Sequence, residues 1–221
     1  VHVTEKIKFN RLLYTNPVCI LTVSYVDSSS SDVKYSIMPI TWLTPTNPSD
    51  EIVLSMAKKR FTASHMHDST FFTLSVPVSG MESLVVRLGS CSGRSHDKSL
   101  DVSLTLPGFN VYRLVDDKSR KDPFVWKKKK WRSFYELHGS RLRAIDGCCA
   151  QLVCQLISKK SSLDDHHFLL SARIVDAYVK SDYWKDDKLF IPCSPSVPPY
   201  LTFLGTKSFG YVTGFHCTTK K

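Results

Sequence analysis

Ser36-Ile37-Met38-Pro39-Ile40-Thr41-Trp42-Leu43-Thr44-Pro45, followed by Glu51-Ile52-Val53-Leu54-Ser55-Met56-Ala57-Lys58-Lys59-Arg60-Phe61-Thr62, is the stretch on which the fold reading turns. Val33 to Leu43 reads as a strand, Pro45 to Asp50 as a loop, and Ile52 to Met56 as a further strand. The first strand carries small hydroxyl residues and a tryptophan, and its end exposes backbone amides. The second delivers Arg60 and Thr62 near that end. A guanidinium fork and a threonine hydroxyl together match one phosphate monoester. Spacing alone fits equally a surface arginine beside a helix N-cap threonine, and the residues by themselves leave both readings open.

Outward from this stretch the pattern stays β-rich. Strands are predicted over Val18–Val26, Phe71–Val76, Ala150–Ile157 and Phe168–Val179, with turn residues Asp27 to Asp32 and a polar connection from Ser158 to Asp165. Short helices are predicted over Val3–Leu13, Phe61–Asp68 and Met81–Leu88, the last stopping at Gly89 before a polar loop from Ser90 to Lys98. Pro192 to Pro199 reads as an irregular segment before a C-terminal tail. The expected fold class is mainly β: a closed or partly closed antiparallel barrel with short flanking helices.

The 221 residues fit one domain over 1–221, with a lysine- and aromatic-rich insertion at about 106–143. A hydrophobic share of 42% supports a real core. The charge of +10 favours anionic partners such as phosphate-bearing cofactors, nucleic acid or anionic lipid. Seven cysteines with no Cys-x-x-Cys pair argue against a zinc site, so no metal is expected. Cys148, Cys149 and Cys154 lie in an apolar run and read as buried free thiols in a reducing compartment. Glu5, Lys6, Lys8 and Arg11 interrupt any signal core, and no run approaches the ~20 apolar residues of a membrane span. The expectation is an intracellular, cytoplasmic protein with no membrane span.

Several ordered matches resemble the flavin reductase-like, FMN-binding split-barrel family. Asn16-Pro17-Val18 followed by Ser36 through Pro45 is similar to that family's proline-led first strand and its Asn-x-Met-Thr-x-Ser-Trp-like strand. Arg60-Phe61-Thr62 resembles its Arg-x-Thr element, and Ser92-Gly93 with Asp97-Lys98 its Ser/Thr-Gly…Asp-Lys loop. Asp165-His166-His167 followed by Ile174-Val175-Asp176-Ala177-Tyr178 is similar to its Asp-His…Val-Val-Asp-Ala-Tyr strand. Pro199 through Gly205 resembles its Pro-Leu-x-x-Leu-Gly tail. Ser36 stands where the family usually has asparagine, Pro39 where it often has threonine, Ala172 at a common glycine, and Ser99 at the aromatic that follows Asp-Lys.

The resemblance implies a Greek-key-like split β-barrel that binds FMN non-covalently, acts as a homodimer and reduces flavin with NAD(P)H as co-substrate. It implies a cofactor-binding set of Ser36, Met38, Thr41, Trp42, Leu43, Thr44, Arg60, Thr62 and Lys98. Thr41 to Thr44 would line the isoalloxazine and ribityl side, Arg60 and Thr62 would hold the phosphate, and Lys98 would approach flavin or phosphate. His167 is the candidate to face the ring, with His166 competing for that position. Catalytic residues remain unassigned, because hydride transfer between cofactors requires no general acid or nucleophile. Two rival functions stay open: an FMN-binding electron carrier without nicotinamide activity, and a nucleic-acid binder working through Trp126, Lys127 to Lys130 and Trp131. A barrel that has lost its cofactor and only mediates contacts is the remaining alternative.

Overall fold

The computed structural model describes residues 13–108, 112–114, 141–186 and 189–213. Among the described residues the main sheet has eight strands. Seven lie on one antiparallel path: β1 Cys19–Val26, β2 Val33–Ile40, β3 Leu43–Pro45, β4 Glu51–Ala57, β5 Phe71–Val76, β6 Ala150–Ser161 and β7 His167–Lys180. The eighth, Tyr112–Leu114, pairs with the end of β7. The seven are ordered β2-β1-β5-β6-β7-β4-β3. The two end strands, β2 and β3, are joined by only Thr41 and Trp42. So short a link forces the far edges of the sheet together, and the sheet rolls up. Among the described residues no ladder bonds β2 to β3, so the barrel is split along this seam.

Alternation along the strands fills the barrel. Cys19, Leu21 and Val23 of β1 point inward to Leu54, Met56, Phe72, Leu74, Leu156 and Leu170. Ile20 points the other way, yet it is fully buried, because helix α1 (Glu82–Ser90) covers that face with Val85 and Leu88. This double burial explains why the start of β1 is apolar without a break. The long strands β6 and β7 shift register between Val153 and Cys154 and between Leu156 and Ser158, the bulges that bend a strand around a barrel. The mainly β split barrel expected from the sequence is the observed architecture.

The structure differs from the sequence reading in several places. The strand expected over Val33–Leu43 breaks after Ile40, where the chain turns the corner of the barrel. The β6 strand runs past Ile157 to Ser161, since Ser158 to Ser161 still find partners along β7. In place of a helix to Asp68 there is a single 3₁₀ turn, Phe61–His65. The expected C-terminal tail is a hairpin of β8 (Leu201–Gly205) and β9 (Ser208–Tyr211), with Asn16–Pro17 paired to β8. Its turn places Thr206 and Lys207 at φ 51° and 62°, a primed geometry normally announced by Asn-Gly, and this sequence gives no such cue. Tyr112–Leu114, inside the expected insertion, pairs with Tyr178 to Lys180 of β7. The expected helix over Val3–Leu13 (apart from Leu13) and the Lys127–Lys130 run lie outside the described residues.

Among the described residues every cysteine is a thiol outside any disulfide, and Cys19, Cys148, Cys149 and Cys154 are buried. Burial pushes the Cys19 and Cys149 thiols up to about 12, so they behave as small hydrophobes rather than nucleophiles. No cluster of His, Cys, Asp or Glu able to hold a metal occurs among the described residues. No helix among them is long and apolar enough to cross a membrane.

Candidate functional site

A cavity of about 240 Å³ opens where β2, the Phe61–His65 turn and the chain leaving α1 converge. Met38 and Pro39 supply one wall, Lys59 to Thr62 a second, and Leu88 to Gly93 with Lys98 the third. Close approach of these segments depends on two glycines. A Cβ on Gly89 would sit 3.2 Å from Pro39 Cγ, and one on Gly93 would sit 2.5 Å from Phe61 Cδ1.

Hydroxyl groups and cations give the cavity its chemistry. The Ser36 and Thr62 hydroxyls, 2% and 3% exposed, are 2.9 Å apart and hydrogen-bonded to each other. Asp97 caps the Lys98–Asp101 turn by accepting from the Ser99 amide at 2.9 Å. That cap directs Lys98 inward, where it is 6% exposed and its Nζ donates to the Leu88 carbonyl at 2.6 Å. One hydrogen bond leaves two ammonium protons for other acceptors. Burial lowers the Lys98 pKa; the nearby Arg60 charge adds to this, against opposing pulls from Cys91 and Asp101. Arg60 is exposed at the N-cap of the 3₁₀ turn, and its guanidinium has no side-chain partner among the described residues. Arg94 Nη1 donates to the Lys59 carbonyl at 3.2 Å, which ties the Ser92–Ser95 loop to the Arg60 segment. No acidic side chain lines the cavity among the described residues.

Of the residues singled out by sequence, Met38, Arg60, Thr62 and Lys98 line this one cavity, and Ser36 lies directly behind Thr62. Thr41, Trp42, Leu43 and Thr44 are not among its lining residues. Leu43 pairs with Leu54 and packs on the barrel core, while Thr44 is exposed. Trp42 is 39% exposed; its indole N–H donates to the Tyr14 hydroxyl at 3.3 Å, and its ring tilts against His167 at 5.4 Å. His167 pairs in register with Ala57, three residues before Arg60, so it marks the same end of the barrel. Its Nδ1 meets Asp164 Oδ2 at 2.8 Å. The Ser162 hydroxyl and His167 together hold the Asp164 carboxyl well below its ordinary range. His166 contributes its backbone carbonyl to the Lys58 amide at 2.9 Å, and Lys58 ion-pairs with Asp165.

Sequence reasoning missed Lys59, Ser90 and Cys91 as wall residues. A signal for the last two was present: a helix stop at Gly89 followed by the small-residue run Ser90-Cys91-Ser92-Gly93, which allows three segments to crowd together. Lys159 was also missed; its Nζ donates to the Ala63 and Met66 carbonyls at 2.6 and 2.9 Å and so closes the far end of the 3₁₀ turn.

The cavity is cationic and hydroxyl-bearing, with no acidic side chain among its described lining residues, a chemistry suited to an anionic group. The chain belongs to the flavin reductase like domain family, whose model matches residues 10–192. Solved structures share its fold. The FMN-binding protein from Thermus thermophilus, with bound 1-cyclohex-2-enone, superposes with a TM-score of 0.67 at 17% identity, covering 99% of this chain and 96% of that one. Flavoredoxin from Methanosarcina acetivorans gives 0.67 at 18% identity, covering 100% and 97%. An NADH:FAD oxidoreductase of Streptomyces globisporus, in complex with NAD and FAD fragments, gives 0.60 at 13% identity, covering 96% of each. No curated protein matches the sequence closely enough to count as a relative.

Proposed function

We propose that this chain binds FMN non-covalently, with the phosphate end in the cavity bounded by Arg60, Thr62 and Lys98, and works as an NAD(P)H-dependent flavin reductase. The observation that carries the reading is the convergence of those three side chains in a member of the flavin reductase like family. The residues fit the group. A phosphate monoester is an acceptor, and the cavity walls carry three cations, Lys59, Arg60 and Lys98, and the buried Thr62 hydroxyl, with no carboxylate among the described lining residues to repel the charge.

At about 240 Å³ the cavity is smaller than the ~300–1,000 Å³ of a whole cofactor pocket. It suits the phosphate and part of the ribityl chain. The ring would then lie outside it, toward Thr41 to Thr44 and His167 at the same barrel end, with a second copy of the chain completing the site. Bound flavin supplies the hydride-accepting chemistry. The protein's share is to hold the phosphate, exclude water around Lys98 and fix the orientation of the two rings, a source of much of the rate in such reactions.

The test is an absorbance spectrum of the purified protein after soaking in FMN and desalting, followed by oxidation of NADH and NADPH with excess FMN. Retained flavin bands near one per chain, with nicotinamide turnover, are the expected results. Retained flavin without turnover on either donor favours an electron carrier. A colourless protein that fails to quench FMN fluorescence sinks the cofactor reading.

A further inference from the structure

We infer that Ser36 is a positioning residue for the ligand's phosphate end: its hydroxyl turns the Thr62 hydroxyl into a proton donor aimed into the cavity. The inference rests on the FMN reading above and deepens it. Ser36 and Thr62 come from different elements, β2 and the 3₁₀ turn, and meet at 2.9 Å. Each hydroxyl has one proton and two lone pairs. Their contact uses a single proton, and either oxygen can be its donor.

The two arrangements have different consequences. If Thr62 donates to Ser36, the spare proton belongs to Ser36, which is 2% exposed and absent from the cavity lining. If Ser36 donates to Thr62, the spare proton belongs to Thr62, which lines the cavity. An acceptor-only anion placed there selects the second arrangement, because only then does a donor face it. The result is a chain of donors from Ser36 through Thr62 to the ligand. Accepting a proton from Ser36 polarises the Thr62 O–H, so the outer bond strengthens. That outer bond is charge-assisted and worth roughly twice a neutral one, so the gain falls on the phosphate and not on a neutral ligand.

A second reading of the same contact is purely structural. A buried pair satisfied by itself would pin the 3₁₀ turn to β2 and treat every ligand alike. The two readings separate in a double-mutant cycle scored on two ligands, FMN and riboflavin, with the full chain. Ser36→Ala is expected to weaken FMN binding roughly fivefold and Thr62→Val about twentyfold, with riboflavin affinity nearly unchanged in both. Once Thr62 is valine there is no donor left to orient. Adding Ser36→Ala to Thr62→Val therefore costs FMN affinity nothing further.

Thermal melts check that each variant folds. Ser36→Cys, close in size with a weaker donor, serves if Ser36→Ala does not fold, and its FMN loss should be intermediate. Equal losses for FMN and riboflavin, or undiminished loss in the Thr62→Val background, overturn the relay while leaving FMN binding intact. Failure of the unaltered chain to bind FMN overturns both readings at once, and the two failures are thereby told apart.

Discussion

Arg60 and Lys98 both face the cavity, but they stand in different media, and their substitutions should read out differently. Arg60 is exposed with its guanidinium free among the described residues, so folding does not depend on it. Arg60→Ala should leave the melting temperature within a degree or two of the unaltered chain. It should also cost FMN about 1–2 kcal/mol, at the lower end for a charge-assisted contact because water screens it. Fluorescence titration with FMN and riboflavin checks this; equal losses for the two would place Arg60 away from the phosphate. Lys98 is 6% exposed and burial lowers its pKa from 10.5. A lysine with a lower pKa folded than unfolded makes stability rise with pH between the two values, and fall again as pH drops through the folded one. Anion binding has the opposite sign, since it needs the protonated ammonium. As pH rises from the lowered folded value toward 10.5 the protein should therefore grow more stable while its FMN affinity declines, and Lys98→Met should flatten both trends. Parallel melts and titrations across that range decide it; an FMN affinity independent of pH would remove Lys98 from the site.

At the scale of elements, the site exists because three short segments approach more closely than side chains normally allow. Gly93 lies against the Phe61 ring, which also packs edge-on against Tyr25 at 5.5 Å and His65 at 4.5 Å. Tyr25 and His65 stack on each other at 4.1 Å and together back the ring, so it has little room to yield on that side. Gly93→Ala should push it into the cavity wall and destabilise the fold by about 1–3 kcal/mol, the usual range for overpacking. FMN affinity should fall as well, for FMN and riboflavin alike because the wall moves rather than the charge. A calorimetric scan and the same titrations check both parts; an unchanged melt would show that Phe61 is free to swing away. Much of this was legible beforehand. Strand positions follow from β-rich runs between turn residues, and the Arg60-Phe61-Thr62 and Asp97-Lys98 motifs mark two segments that the fold brings to one cavity. Other features left no local trace. The break at Thr41–Trp42 belongs to barrel closure, which a local pattern does not encode. Thr206 and Lys207 take a turn geometry their side chains disfavour, so the β8–β9 hairpin stayed hidden. The position of Ser36 behind Thr62 arises from two segments 26 residues apart, and no spacing rule connects them.

The whole molecule raises the question of what covers the barrel where no helix does. Among the described residues, α1 seals one face of β1 and β2, whereas the outer face of β7 carries exposed apolar side chains. Leu170 points into the core, so Leu169 must point out, and it is 43% exposed; Val175, further along, is 40% exposed. Trp42, 39% exposed at the barrel seam, sits against His167 at the start of that same strand. Exposed apolar side chains spaced along this strand, ending beside the proposed flavin site, suit a two-fold interface that shares the site between copies. The cavity's small volume favours the same arrangement, since about 240 Å³ is less than a whole cofactor pocket needs. Light scattering on the eluted protein should give twice the 25.1 kDa of one chain. Leu169→Glu, which places a charge at the centre of that face without touching the core, should shift it to the monomer. Because the interface is proposed to complete the ring site, the monomer should also lose FMN and riboflavin affinity together, unlike the phosphate-selective loss expected for Arg60→Ala. A chain that is monomeric at micromolar concentration and binds FMN fully would confine the site to one barrel, and the exposed strand would then need another occupant.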